Sequence, residues 1–456
     1  MVIDLGDIRE EIVPLVAEIT ADLERGDKTA FRNKFLDLHS YDQAQVYLAL
    51  SSQLRQQVID WTTPAELANV FDDIDADDVD FNNLLEEMAP SYAAEMLNEM
   101  YVDNAVDVLE DISEPEQNVY LKQMSNKDAS ELRHLLKYDE DTAGALMTTE
   151  YIGVPRSQTI GQVMAMVKKA AGESEQISYI YVIDSEKLIG VISLRNLIIH
   201  SDAELVEDVM TSNLVTVEPT EDQEIVARLM ADYNLLAMPV VDEKNHMLGI
   251  IMVDDIVDVI EAESTEDYGR FAGVNDLDLE ESPLASVAKR LPWLIVLVFL
   301  GLGTASILNG YDEMVKQASV LAIFISLITG TAGNAGTQSL AVSIRRITLD
   351  EKRGVLRMFL AELFIGLTIG ITAGTTIFLV VWLWKANMLL GLAVGLAMAS
   401  AITVANLAGA FIPILMDALK IDPAVASGPF ISTLSDLTSV IIYFNIAGLF
   451  ISHFMS

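Results

Sequence analysis

The 456-residue chain is 51% hydrophobic, yet it carries 68 acidic against 28 basic residues, a formal charge of −40. Such a surface repels nucleic acid and anionic lipid and attracts cations. No cysteine is present, which excludes disulfides, thiolate metal sites and thiol catalysis. Five scattered histidines, with no phosphate loop or nucleophile arrangement, leave nothing that reads as an enzyme.

The charge is confined to one part of the chain. Beyond Arg290 there are eight acids and eight bases, so the whole −40 belongs to the first 290 residues. The expectation is a neutral membrane domain joined to a polyanionic soluble one. The N-terminus, Met1-Val2-Ile3-Asp4-Leu5, is acidic and lacks a basic-then-apolar signal pattern, which places the soluble part in the cytosol.

Residues 1–140 read as helices only. Apolar residues recur at three- and four-residue spacing in Leu15-Val16-Ile19-Leu23, Ala93-Met96-Leu97-Met100 and Ala105-Val106-Leu109. Several short helices share a Pro, Ser or Asp start followed by Ala and Leu, as in Thr63-Pro64-Ala65-Glu66-Leu67, which suggests stacked helical hairpins in a small superhelix. The acidic run Asp72 to Asp80 reads as a loop, and it lacks the Gly and closing Glu of an EF-hand.

From 141 to 262, β-branched runs alternate with helices and repeat at an offset near 60 residues. Ile180-Tyr181-Val182-Ile183-Asp184 and Leu188-Ile189-Gly190-Val191-Ile192-Ser193 match Met238-Pro239-Val240-Val241-Asp242 and Leu248-Gly249-Ile250-Ile251. This α/β pattern resembles a tandem CBS pair, a nucleotide-sensing module. The first copy has Asn196 where such modules carry a ribose-binding acid, and the second has Met252 in place of a hydroxyl. The resemblance leaves an adenosine ligand such as ATP open, through Tyr181, Arg195 and Asn196.

Acids at 255, 258, 263, 266 and 267 then recur on helical spacing, leading into a connecting segment that continues through 263–290. Like charges three and four residues apart destabilise an isolated helix, so the stretch is either fully solvated or neutralised by cations. Five apolar spans follow, at 291–309, 318–343, 355–384, 388–416 and 427–455, each of about 20 residues or more. Lys289, Arg290, Arg345, Arg346, Lys352, Arg353, Arg357 and Lys420 fall on one side, against Lys316 and Lys385 on the other. The soluble part is therefore expected inside, and an odd span count puts Ser456 outside.

Two features of the spans break the apolar pattern. Glycines at 330, 333 and 336 make a small-residue stripe, which helix packing alone would explain, but Asn334 and Gln338 bring costly amides one turn apart. In the fourth span, Asn406 and Pro413 predict a polar contact and a kink. In the last span, Asp436 lies about 14 Å deep at 1.5 Å per residue, among Ser427, Ser432, Thr433, Ser435, Thr438 and Ser439. An acid at that depth needs water, a partner or an ion, so a hydroxyl-lined face around it reads as a cation path.

Gly333-Asn334-Ala335-Gly336-Thr337-Gln338, Asp422-Pro423-Ala424-Val425, Thr433-Leu434-Ser435-Asp436, Gln223 to Tyr233 and Val253 to Asp267, with the order of acidic helical domain, CBS pair, connecting helix and five spans, resemble the MgtE family of bacterial magnesium channels. The resemblance covers the whole chain. It implies a multidomain membrane protein: an all-α superhelical N-domain (1–140), an α/β tandem CBS pair (141–262), an acidic connecting or plug helix (263–290) and a five-span α-helical transmembrane pore domain (291–456). By position it implies Asp436 as the pore acid, with Asn334, Gln338 and Thr433 beside it. Asp103, Asp107, Glu66, Asp222, Glu224, Asp255, Asp258, Glu263, Glu266, Asp267 and Asp422 become regulatory Mg2+ ligands.

The expected function is a homodimeric, magnesium-selective channel in the plasma (inner) membrane, admitting Mg2+ and shut by cytosolic Mg2+. Its partners are then a second copy, membrane lipid and divalent cations, with no nucleic acid. The rival readings are an ion-coupled secondary transporter and a CBS nucleotide sensor with a membrane anchor. Asn234 and Gly428 depart from the family pattern, where an acid and an Asn can stand.

Overall fold

The computed structural model describes residues 12–74, 79–171, 177–274, 283–348, 355–420 and 427–454. The chain forms two compact units, 1–260 and 261–456.

In the first unit, short helices stack from Val13 to Leu135. The recurring start has a physical cause. Pro64 and Pro90 occupy the first helical turn, where a missing N–H costs nothing. Thr63 and Ser113 close capping boxes with Glu66 and Glu116. Helix Pro64–Phe71 packs on Pro90–Glu99, and that one on Glu114–Leu121, so each repeat buries its apolar stripe on the next. Aromatic rings run through the core, with Phe31 stacked on Phe35 at 5.0 Å and Tyr47 tilted on Phe71 at 5.7 Å. Of the expected acidic loop, Asp80 caps the helix Phe81–Glu86, while residues 75–78 lie outside the described residues.

The repeat at 141–262 folds as two related halves. Strands β1 (Gly153–Val154), β2 (Tyr179–Asp184) and β3 (Lys187–Ser193) form one sheet, β1 parallel and β3 antiparallel to β2. Strands β4 (Ala237–Val241) and β5 (Met247–Met252) pair antiparallel, and Val217 bridges Val240 in parallel where the first half has β1. The halves exchange chain: Thr148 of the first bridges Ile250, and Thr211 of the second bridges Val191. Helix Gln223–Tyr233 ends on Asn234 in the left-handed conformation, φ 52°. Asn tolerates that geometry better than most residues, which accounts for its place there.

The second unit holds five helices long and apolar enough to cross a membrane: Pro283–Gly310, Ala322–Thr348, Val355–Lys385, Met388–Ala418 and Gly428–Phe454, called spans one to five. Spans two, four and five pack together and span three packs on span four, while span one touches span five and buries none of its own residues. At the closest approach a Cβ on Gly409 of span four would stand 2.2 Å from the Gly336 carbonyl oxygen of span two. Only glycine allows two backbones so near.

The connecting segment is not one helix over 263–290. A helix runs Val253–Ala272 and ends on Gly273 at φ +77°, and the first span begins at Pro283.

Candidate functional site

In the membrane unit, Asp436 is half-buried on span five and lies near Thr329 of span two, whose hydroxyl donates to the Ser326 carbonyl at 3.5 Å. No basic side chain pairs with it among the described residues. The two helices meet through small groups, Gly333 against Ser432 and Gly336 against Ser435. The stripe thus divides: Gly333 and Gly336 face span five, while Gly330 has nothing within 4 Å.

The hydroxyls expected on one face also divide, which corrects the sequence expectation. Ser435 and Ser439 are buried in helix packing, Thr433 donates to the Pro429 carbonyl at 2.9 Å, and Thr438 bonds its own helix. Ser427 accepts from the Trp293 indole at 3.1 Å. At 100° per residue these positions span too wide an arc for one lumen face. Asn334 and Gln338 are exposed, in a row with Ser326 and Gly330, on a side of span two turned away from Gly333 and Gly336. Within one chain they do not converge on Asp436.

Sequence reasoning passed over Glu362. This span-three carboxylate is buried, accepting from Arg346 at 2.9 Å, Asn406 at 3.0 Å and Ser339 at 3.3 Å. The polar contact expected of Asn406 is made here. The available signal was an acid in an apolar span; its partners are too distant in sequence to suggest the network.

In the soluble unit, buried Asp103 gathers with Asp72, Glu150, Glu131 and Asp254. Burial, outweighing hydrogen bonds from Asn104 and Tyr101, pushes Asp72 up to about 7. Burial and then the charges of Asp103, Asp72 and Glu131 push Glu150 up to about 7. Burial, with Asp254 nearby, raises Asp103 to about 6. Asp72, Glu131, Glu150 and Asp254 were missed because they sit in separate elements.

Other candidates have local duties. Glu66 is gripped by Arg32 at 2.5 and 3.0 Å and caps its own helix, so the structure gives it an architectural task rather than a free ligand position. Asp222 caps the helix that begins at Gln223, and Glu224 pairs with Arg228 at 3.0 Å. Glu266 pairs with Arg270 one turn on. Asp107, Asp255, Asp258, Glu263 and Asp267 lie on their expected helices and have partners. Asp422 lies outside the described residues. Among the described residues no three Asp, Glu or His side chains converge as a metal site. Tyr181 is buried in the core between the two CBS halves, with Leu188, Ala237 and Ile250, so it cannot reach a nucleotide; Arg195 is exposed and Asn196 partly so.

Comparison with known proteins follows this layout. Residues 325–446 match the family model of a divalent cation transporter, MgtE; 38–141 match the MgtE intracellular N domain; 143–202 and 206–262 match CBS domains. Over 99% of both chains, the protein is 49% identical to the magnesium transporter MgtE of Enterococcus faecalis. The chain belongs to the MgtE family. MgtE of Thermus thermophilus is 35% identical, over 95% of this chain and 98% of its own. Among solved structures, the soluble part of a magnesium transporter matches at 42% identity and TM-score 0.54, covering 56% of this chain and 99% of that one. The cytosolic domain of the Mg2+ channel MgtE in complex with ATP matches at 33% identity and TM-score 0.50, covering 54% of this chain and 99% of that one. An MgtE soluble portion thus corresponds to the helical stack and the CBS pair, and the transporter model falls on spans two to five.

Proposed function

We propose that the protein is a homodimeric Mg2+ channel of the inner membrane, admitting Mg2+ and closed by cytosolic Mg2+. The observation that carries the reading is Asp436: a half-buried carboxylate inside a membrane span, near Thr329 and without a basic partner among the described residues. Such a charge is costly in lipid unless it meets a cation or water. Ser326, Gly330, Asn334 and Gln338 form an exposed polar row along span two, and span one buries nothing. Polar groups do not face hydrocarbon without cover, so a second copy with a water-filled path between the two accounts for the row.

Mg2+ gives up its water reluctantly, so a carboxylate from each copy can hold it through its hydration shell. The regulatory half of the reading rests on charge. In the soluble unit the charge of Asp254 bears on Asp103, and those of Asp103 and Asp72 bear on Glu150. A dication between such groups favours the compact form, and each ion that prefers that form adds to the closing bias. Acids at 255, 258, 263, 266 and 267 extend the series toward the spans, and Asp107, Asp222, Glu224 and Asp422 are kept as further ligands in this reading. ATP, bound by a relative's cytosolic domain, is assigned here to the side of the CBS pair bearing Arg195 and Asn196.

Mg2+ uptake into liposomes, with internal Mg2+ varied, tests the proposal. Wild type conducts at low internal Mg2+ and closes at high, and Asp436→Asn loses at least about tenfold of its flux. Full flux in that variant would sink the reading.

A further inference from the structure

The network around Glu362 has no part in the conduction path just described, and a carboxylate this buried within a membrane span needs a reason. Glu362 is 2% exposed, and its two oxygens take three donors: Arg346 at 2.9 Å, Asn406 at 3.0 Å and Ser339 at 3.3 Å. Asn406 also donates to the Glu362 backbone carbonyl at 3.1 Å. Three helices are thereby tied at one point: span two through Ser339 and Arg346, span three through Glu362, and span four through Asn406.

Span two presents three different faces. Gly333 and Gly336 lie on span five, against Ser432 and Ser435. The exposed row includes Gly330, Asn334 and Gln338. Ser339 and Arg346, two turns apart, mark the third face, about 90° round from the glycines. A helix faced with glycines has little side-chain relief to resist rotation about its axis. The Glu362 clamp supplies the missing resistance.

We propose that Glu362 is a positioning residue for the conduction path: paired with Arg346 and held by Asn406, it fixes the rotation of span two so that its glycine face meets the Asp436 helix. The inference rests on the channel reading for its consequence, but its geometry can be tested without ion flux. Removing either partner releases the clamp, and removing both does so without leaving an unpaired charge buried in the span.

The chain has no cysteine, so an introduced pair reports cleanly. A Cβ at 333 would lie 3.7 Å from the Ser432 Cβ, within disulfide range. In full-length chain carrying Gly333→Cys and Ser432→Cys, reconstituted in liposomes, the rate of oxidative cross-linking measures the register of spans two and five. Glu362→Gln and Arg346→Met should each slow it at least about fivefold, and the double variant, which lacks the same clamp, should be slowed about as much as either. Parent rates in both single variants, or a double variant that cross-links at the parent rate, would overturn the proposal. If a single variant fails to insert, the double variant, which leaves no unpaired buried charge, decides alone: it must insert and cross-link at least about fivefold more slowly than the parent, and a parent rate would overturn the proposal. Mg2+ uptake by wild-type liposomes is measured beside these. Its absence would remove the channel reading and leave the cross-linking result standing, whereas normal uptake with unaltered cross-linking would remove the clamp alone.

Discussion

Replacing Glu150 by glutamine tests whether the acids of the soluble unit oppose its folding when no cation is present. Burial, then Asp103, Asp72 and Glu131, raise this carboxyl from 4.5 to about 7. A rise of that size corresponds to about 3 kcal/mol at full ionisation. Glu150 is partly exposed, so solvent screening reduces the figure to about 1–2 kcal/mol. The folded value lies above the unfolded one, so the native state holds the proton more tightly, and stability is lost as pH climbs from 4.5 through about 7. Glutamine carries no such penalty. Trp61 is the one tryptophan before Trp293, and it packs 5.6 Å from Phe31, so its fluorescence reports unfolding of residues 1–274 in urea. With a slope of about 3 kcal/mol per M, Glu150→Gln should raise the midpoint by about 0.5 M at about pH 8. At about pH 5.5 the gain should fall to less than half, and excess Mg2+ should narrow it at the higher pH. An equal gain at both pH values, or a less stable variant at the higher one, would refute the reasoning.

The other expectations concern single contacts. Glu66→Gln breaks the Arg32 pair and the capping box; it should cost about 1–2 kcal/mol in the same urea assay yet leave Mg2+-dependent closure of flux intact. Loss of closure would return Glu66 to the regulatory set. Gly409→Ala brings a Cβ to 2.2 Å from a carbonyl oxygen where ordinary contact starts at 3.4 Å, so spans two and four must part by about 1.2 Å. Overpacking of that kind costs about 1–3 kcal/mol, read as a lower melting midpoint of the full chain in detergent. Gly301→Ala, with nothing within 4 Å, is the control, and equal midpoints would count against the packing. Asp255→Asn combined with Asp258→Asn should keep liposomes conducting at high internal Mg2+; unchanged closure would argue against the gating model.

The architecture was legible because each part has its own period. Three- and four-residue spacing marked the helical stack, the repeated β-branched runs marked both CBS halves, and uninterrupted apolar stretches marked the five spans. What failed was angular and long-range. Position 330 follows helical spacing with 333 and 336, yet the three do not share a neighbour, because a stripe read at three-residue steps drifts about 60° at each step. Tyr181 fits a ligand-contact position by motif, but the exchange of chain between the two halves encloses it. Glu66 looked free because Arg32, 34 residues away, leaves no local trace.

Glu362 shows the same limit from the other side. Its partners lie 16, 23 and 44 residues away, on two other spans that meet span three only when the spans pack. A lone acid near the start of an apolar span could equally have been a second ion ligand. The structure separates the two cases by what surrounds each carboxylate. Glu362 is buried, its charge is balanced by Arg346, and an amide and a hydroxyl take further acceptor sites, so it presents no unbalanced charge to a cation. Asp436 has no arginine or lysine paired with it among the described residues and remains half-exposed. A hydrated dication needs outer-sphere contact and unbalanced charge, and of these two span carboxylates only Asp436 offers both. On the reading proposed above, Glu362 holds helices in register, and Asp436 stays open because its counter-charge is meant to move.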